Sequence, residues 1–66
     1  MRISYYEDDD TLYIEFSKKA IVRDESASWN VNIGYTDDGL GEITILEAQK
    51  SGIYPMQMER IVSDVA

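Results

Sequence analysis

Cysteine and histidine are both absent from this 66-residue chain. Without cysteine the chain cannot form a disulfide or a thiolate zinc site. Without histidine it lacks imidazole metal ligands and the commonest general base, so its serines have no base of that kind to activate them. No glycine-rich phosphate loop or converging carboxylate pair replaces these groups. We therefore expect a protein that is not an enzyme and that has no cofactor.

Long apolar runs and positive charge are also scarce. No stretch approaches the roughly 18 apolar residues that span a bilayer, and residues 1–7 lack the apolar core of a secretory signal, so we expect a cytoplasmic protein without membrane contact. Thirteen acids against six bases give a net charge of −7. This charge disfavours nucleic-acid binding. It would attract a basic protein partner, although acidic surfaces also serve solubility alone.

Alternation of apolar and polar residues predicts several β-strands. Residues 28–35 alternate most regularly, which is typical of a strand with one buried face. Residues 11–16 and 42–46 show the same period, a shorter strand begins at Ile3, and residues 20–26 are a further strand whose facing is uncertain. The side chains predicted to share one apolar face are Ile3, Tyr5, Leu12, Ile14, Phe16, Trp29, Val31, Ile33, Tyr35, Ile43 and Ile45.

Acidic and glycine-containing turns separate these strands. Residues 7–10 join the first two strands, and residues 37–39 form an Asp-Asp-Gly hairpin signal; Gly41 lies where a β-bulge is expected. Short sequential hairpins favour an antiparallel β-meander of about five strands over residues 1–48. Counting five strands, we expect both acidic turns to lie at one end of the sheet. The acidic run 7–10 is either a calcium site or a solvated turn; it lacks EF-hand spacing, and we predict no metal.

The pattern changes after Ala48. Pro55 suits the first turn of a helix, and apolar residues then recur at helical spacing, which predicts a C-terminal helix over residues 53–65. The predicted fold class is therefore α+β, in a single domain covering residues 1–66. So short a helix must pack on another surface, either its own sheet or a second copy of the chain.

One short helix is too small to cover an apolar face of five strands, so we expect a homo-oligomer, in the simplest case a homodimer. Tyr6 and Tyr13 have the outward parity; they are either interface residues or simply good strand formers. Trp29 has the inward parity and is either a core or an interface residue. The candidate interface residues are Tyr6, Tyr13, Trp29, Met58, Ile61, Val62 and Val65.

The order and spacing of these motifs resemble a known family. The relevant segments are Ile3-x-Tyr5, residues 10–14 followed by Phe16-Ser17, Val31-x-Ile33-x-Tyr35, the turn 37–39, and residues 43–48. Together they make the chain similar to the domain of unknown function 2283 family of small bacterial proteins. Glu47 stands where the family more commonly has Asp, and the tail from Gly52 to Ala66 extends past the usual motif.

The resemblance implies a compact β-rich module without an established activity or agreed catalytic residues. Members of that family are often encoded beside small toxin-like proteins, which implies an antitoxin-like role. Our first functional hypothesis is a non-enzymatic protein-interaction module that self-associates. The alternative is an antitoxin-like acidic protein that neutralises a basic partner.

Overall fold

The computed structural model describes residues 1–63, which form one antiparallel sheet of five strands. Strand formation follows the alternating pattern, and two of the three hairpins have two-residue loops. The strands are β1 (Arg2–Tyr6), β2 (Thr11–Glu15), β3 (Arg23–Ser28), β4 (Val31–Thr36) and β5 (Gly39–Ile45).

The strand order is β1-β2-β5-β4-β3, so the predicted simple meander is wrong. β5 pairs with β2, and β3 lies at the opposite edge of the sheet from β1. The predicted bulge is confirmed, because Gly34 pairs with Glu42 but Tyr35 pairs with Leu40, which leaves Gly41 without a partner residue. Alternation within a strand specifies its two faces and not its neighbours, which is why the order could not be predicted.

The connection from β2 to β3, residues 16–22, crosses the end of the sheet over β5 and β4. The Phe16 and Ser17 amides donate to the Gly41 carbonyl oxygen, and the Val22 amide donates to that of Tyr35. Its Ile21 side chain packs over the bulge: a Cβ atom on Gly41 would lie 2.6 Å from Ile21 Cδ1. The absence of a side chain at Gly41 is therefore what allows the crossing segment to pack closely on the sheet.

The two acidic turns lie at opposite ends of the sheet, so the expectation that they share one end is wrong. Leu12, next to the first turn, pairs with Ile45 at the end of β5. The turn at residues 37–38 precedes Gly39 at the start of β5. Antiparallel strands reverse direction at each connection, so the β1–β2 turn and the β4–β5 turn open at opposite ends, about the length of a strand apart.

The predicted α+β class is also wrong: residues 1–63 contain no helix, and the fold is all-β over the described part of the chain. Residues 53–63 have no regular secondary structure beyond a bend at Pro55. A segment of about ten residues needs tertiary packing to remain helical in water. Here Met58, Ile61 and Val62 are exposed, and the β-branched Ile61 and Val62 are poor helix formers in addition. Residues 64–66 lie outside the described range.

Candidate interaction surfaces

The sheet has one aliphatic face, and the strand register defines its members. Side chains of directly paired residues share a face of the sheet. Ile14 pairs with both Ile3 and Ile43, and Ile43 also pairs with Ile33, which gives an unbroken isoleucine row across four strands. The aliphatic face consists of Ile3, Tyr5, Leu12, Ile14, Val31, Ile33, Ile43 and Ile45.

Within residues 1–63, other segments of the chain cover only one corner of this face. Of the hydrophobic side chains in residues 1–63, Leu12, Ile45 and Ala48 alone are buried. Ala48 comes from the turn that follows β5, and Tyr54 packs beside it with its ring stacked on that of Tyr5 at a centroid distance of 3.7 Å. The isoleucine row is only partly buried, and Ile3 is 47% exposed. Residues 1–63 therefore supply no second layer over most of the face.

Asp10 holds the segment that carries Ala48 and Tyr54, which cover this corner. Its Oδ1 atom accepts hydrogen bonds from the Gln49 amide (2.7 Å) and the Tyr5 hydroxyl (2.8 Å), and its Oδ2 atom accepts one from the Lys50 amide (3.1 Å). The Ala48 amide donates to the Asp10 carbonyl oxygen, and Ala48 in turn accepts from the Tyr54 amide. The carboxylate thus joins the first turn to the segment that carries Ala48 and Tyr54.

These bonds change the proton affinities of both side chains. The Gln49 amide, assisted by the Tyr5 hydroxyl and the Lys50 amide, lowers the pKa of Asp10. The hydrogen bond to Asp10 raises the pKa of Tyr5 to about 12. A carboxylate occupied by three donors acts as a turn anchor, which agrees with the turn interpretation of residues 7–10. Residues 1–63 contain no group of three or more acidic side chains placed to hold a metal ion.

The opposite side of the sheet is mixed aromatic and polar. The register places Tyr13 opposite Thr44 and Thr44 opposite Asn32. Asn32 and Thr44 line a shallow cavity of about 210 Å³ together with Trp29 and Leu46. We call this surface the aromatic face and define it as Tyr6, Tyr13, Trp29, Asn32, Thr44 and Leu46.

Polar groups on the aromatic face are paired within the chain. The Tyr13 hydroxyl donates to Glu42 Oε1 at 3.0 Å, and this bond raises the pKa of Tyr13. Asn32 Nδ2 donates to Asp24 Oδ1, also at 3.0 Å. The polar groups of this face are hydrogen-bonded while the face is in contact with water. The aliphatic face, by contrast, exposes apolar side chains to water wherever it is uncovered.

Trp29 is not a core residue. The regular pattern predicted it on the inward side of a strand, but it lies in the two-residue turn between Ser28 and Val31, where the strand alternation does not apply. Its side chain is 73% exposed. Among the other predicted interface residues, Tyr6 is exposed and Tyr13 is half-buried, so the aromatic face brings these three aromatic residues to one side of the sheet.

Three of the four predicted interface residues of the C-terminal segment lie within the described range, and their side chains are exposed. Met58, Ile61 and Val62 are 94%, 82% and 74% exposed. Val65 lies outside the described residues. The interface assignment of these four residues stays a prediction.

Sequence reasoning missed two residues that organise the aliphatic face, Asp10 and Tyr54. Asp10 was one of four consecutive acids, and nothing local distinguishes it from Asp8 or Asp9. Tyr54 falls within the predicted helix over residues 53–65, and its contact with Tyr5 spans 49 positions of the chain, so no local pattern indicates it. A signal for Asp10 existed only in its place directly before β2, where a positive φ of 50° is accommodated by Asp.

These observations define an all-β fold over residues 1–63 with one incompletely covered sheet face. The chain belongs to the family described as Protein of unknown function (DUF2283), whose model matches residues 2–49. The match covers all five strands and ends beside Ala48, so the segment from Lys50 onward lies outside it. Searches of the curated proteins and of the solved structures found no match. Residues 1–63 include no helical segment with the length and apolar character needed to cross a membrane.

Proposed function

We propose that this protein is a non-enzymatic interaction module that self-associates, with the aliphatic face of each copy covered by a second copy. The single observation that carries the proposal is the isoleucine row, four side chains across four strands without a second layer. An exposed apolar sheet face is a recurring feature of protein-protein interfaces. A twofold arrangement would cover both faces at once, because the same patch serves each copy.

The chemistry of the chain supports a role without catalysis. It has no histidine or cysteine. The charged side chains that line concavities of the described residues are Arg2, Glu15 and Lys18 in one, and Glu47 and Lys50, paired with each other at 3.2 Å, in another. The lowered pKa of Asp10 has a complete explanation in the turn that it anchors. Binding is therefore the function that these residues support best.

Light scattering coupled to size-exclusion chromatography tests the proposal at tens of micromolar protein. We expect twice the chain mass of 7.6 kDa at both low and high salt, because apolar association is not screened by ions. The double variant Ile3→Lys/Ile33→Lys should be monomeric. Its matched control, Ser4→Lys/Asn32→Lys, adds the same charge on the same two strands but on the other face and should remain dimeric. A monomeric wild-type protein would refute self-association.

The charge distribution favours a second candidate, an antitoxin-like protein that neutralises a basic partner. Lys19, Arg23 and Lys50 lie within 4 Å of carboxylates of their own chain, which leaves a strongly acidic surface. Electrostatic attraction of this kind weakens with salt. Co-expression with the product of the adjacent gene tests it: we expect salt-sensitive co-purification and relief of growth inhibition. Failure of both would contradict this second candidate.

A further inference from the structure

The chain continues beyond Tyr54 as a segment with exposed apolar side chains. We call residues 55–63 the C-terminal tail. Met58, Ile61 and Val62 are more exposed than any isoleucine of the aliphatic face, and Met56 is exposed as well. Four large apolar side chains within seven residues, all in water, form a second hydrophobic surface that needs cover.

The tail projects away from its own sheet. The radius of gyration is 14.2 Å and the longest dimension 43 Å, whereas a compact chain of this length has a radius of gyration of about 11 Å. The longest strand has seven residues and a length of only about 24 Å. The apolar side chains of the tail therefore do not cover the isoleucine row of the same copy.

The C-terminal tail begins beside the aliphatic face. Tyr54, immediately before it, is packed against the covered corner of the aliphatic face. The nine residues of the tail reach about 30 Å when extended, and the five strands of the sheet are about 19 Å across. A tail that starts at this corner is thus long enough to cross an entire sheet face.

We infer that the C-terminal tail of each copy lies across the aliphatic face of a second copy, so that two copies exchange tails. This inference rests on the proposed self-association and names the segment that completes the interface. Both surfaces are apolar, and the tail carries its only charged residues within the described range, Glu59 and Arg60, as an adjacent pair of opposite sign. The flexible side chains of Met56 and Met58 suit the uneven surface of an isoleucine row. Exchange of identical segments requires no surface beyond those already present.

The dimer dissociation constant tests the contribution of the tail. We expect Met58→Asp/Ile61→Asp to raise it at least about 100-fold, because each apolar side chain removed from an interface weakens binding by about tenfold or more. The control Gln57→Asp/Ser63→Asp adds the same charge to polar positions of the tail and should change the constant by no more than about threefold. Circular dichroism of both variants checks that the sheet is retained.

A spin label shows which copy the tail contacts. The chain lacks cysteine, so Gln57→Cys provides a unique attachment point. Spin-labelled chains are mixed with isotope-labelled chains of unaltered sequence, and we expect loss of methyl signal intensity at Ile33 and Ile43 of the isotope-labelled copy. An unchanged dissociation constant for Met58→Asp/Ile61→Asp, or undiminished signals at Ile33 and Ile43, would overturn tail exchange while leaving the dimer intact. A monomeric wild-type protein would instead remove the proposed function on which the inference rests.

Discussion

The two faces of the sheet differ in how their side chains tolerate water. On the aliphatic face, Leu12 and Ile45 are buried beneath Ala48, while the isoleucine row beyond them is only partly covered. On the aromatic face, hydroxyl and amide groups bond to Glu42 and Asp24 of the same chain. Alternate residues of each strand point to opposite faces, so the two faces receive similar numbers of side chains and differ in their chemistry. Stability should therefore depend mainly on the aliphatic face, although the aromatic face carries the larger side chains.

The largest expected effect on the free energy of unfolding is found by comparing a buried side chain of the aliphatic face with an exposed side chain of the aromatic face. Leu12→Ala removes the one large side chain that is fully buried, and we expect a loss of about 3 kcal/mol in the free energy of unfolding. Trp29→Ala removes a larger side chain that is 73% exposed, and we expect a change within about 0.5 kcal/mol. Urea denaturation followed by circular dichroism measures both. Equal losses would contradict the assignment of stability to the aliphatic face.

A smaller effect is expected where the crossing segment packs on the sheet. Gly41→Ala places a Cβ atom 2.6 Å from Ile21 Cδ1 and 2.9 Å from Thr36 Cγ2, and we expect a loss of about 1–3 kcal/mol through overpacking. Ile21→Ala removes the nearer clash, so the double variant should be more stable than the sum of the two single effects predicts. Strict additivity in this double-mutant cycle, measured by urea denaturation, would show that Ile21 does not occupy the space above Gly41.

The smallest of the three expected effects is that of Asp10, which holds the segment that carries Ala48 and Tyr54. This effect depends on pH. The pKa of Asp10 is lowered from 3.8 in the fold, so its stabilising contribution is complete well above pH 3.8 and is lost as the pH falls through the folded-state pKa. Asp10→Asn retains a side chain that accepts the positive φ but loses the carboxylate. We expect a lower denaturation midpoint for this variant at pH 7 and convergence with the wild-type protein below pH 3.8.

Asp9→Asn is the matched control for this prediction, since it removes the same charge from the same turn at an exposed position. It should have little effect on the midpoint at either pH. If Asp10→Asn and Asp9→Asn behaved alike, the effect of Asp10→Asn would come from the loss of one negative charge in the turn and not from the loss of the bonds from Gln49, Lys50 and Tyr5. The cover over the aliphatic face would then need a different explanation.

Local features of the fold were predictable because their causes are local. Alternation identified segments of β1, β2, β4 and β5, Asp38-Gly39 identified a hairpin, and the bulge at Gly41 follows from glycine inside a strand. The strand predicted over residues 20–26 overlaps β3, although its sequence does not alternate. Trp29 marks the limit of this reasoning. Its parity agreed with Val31 and Ile33, but the chain reverses between Ser28 and Val31, and parity has no meaning inside a tight turn.

The predicted helix failed for a related reason. Helical spacing of Met58, Ile61 and Val62 indicates what a helix would present, but a short segment becomes helical only when a surface receives that stripe. The bond network around Asp10 was equally out of reach, because its partners Gln49 and Lys50 lie 39 and 40 positions away.

The amino-acid sequence by itself determined where strands and turns form and which residues share a face within each strand. It also determined that one of these faces is aliphatic and that the chain has a net charge of −7. Only the tertiary structure decided that β5 lies between β2 and β4, and that Tyr54 and not a helix covers Tyr5. Period and turn chemistry act between neighbours in the chain. Strand order and cover depend on contacts between distant segments, whose free energies depend on the whole packed arrangement.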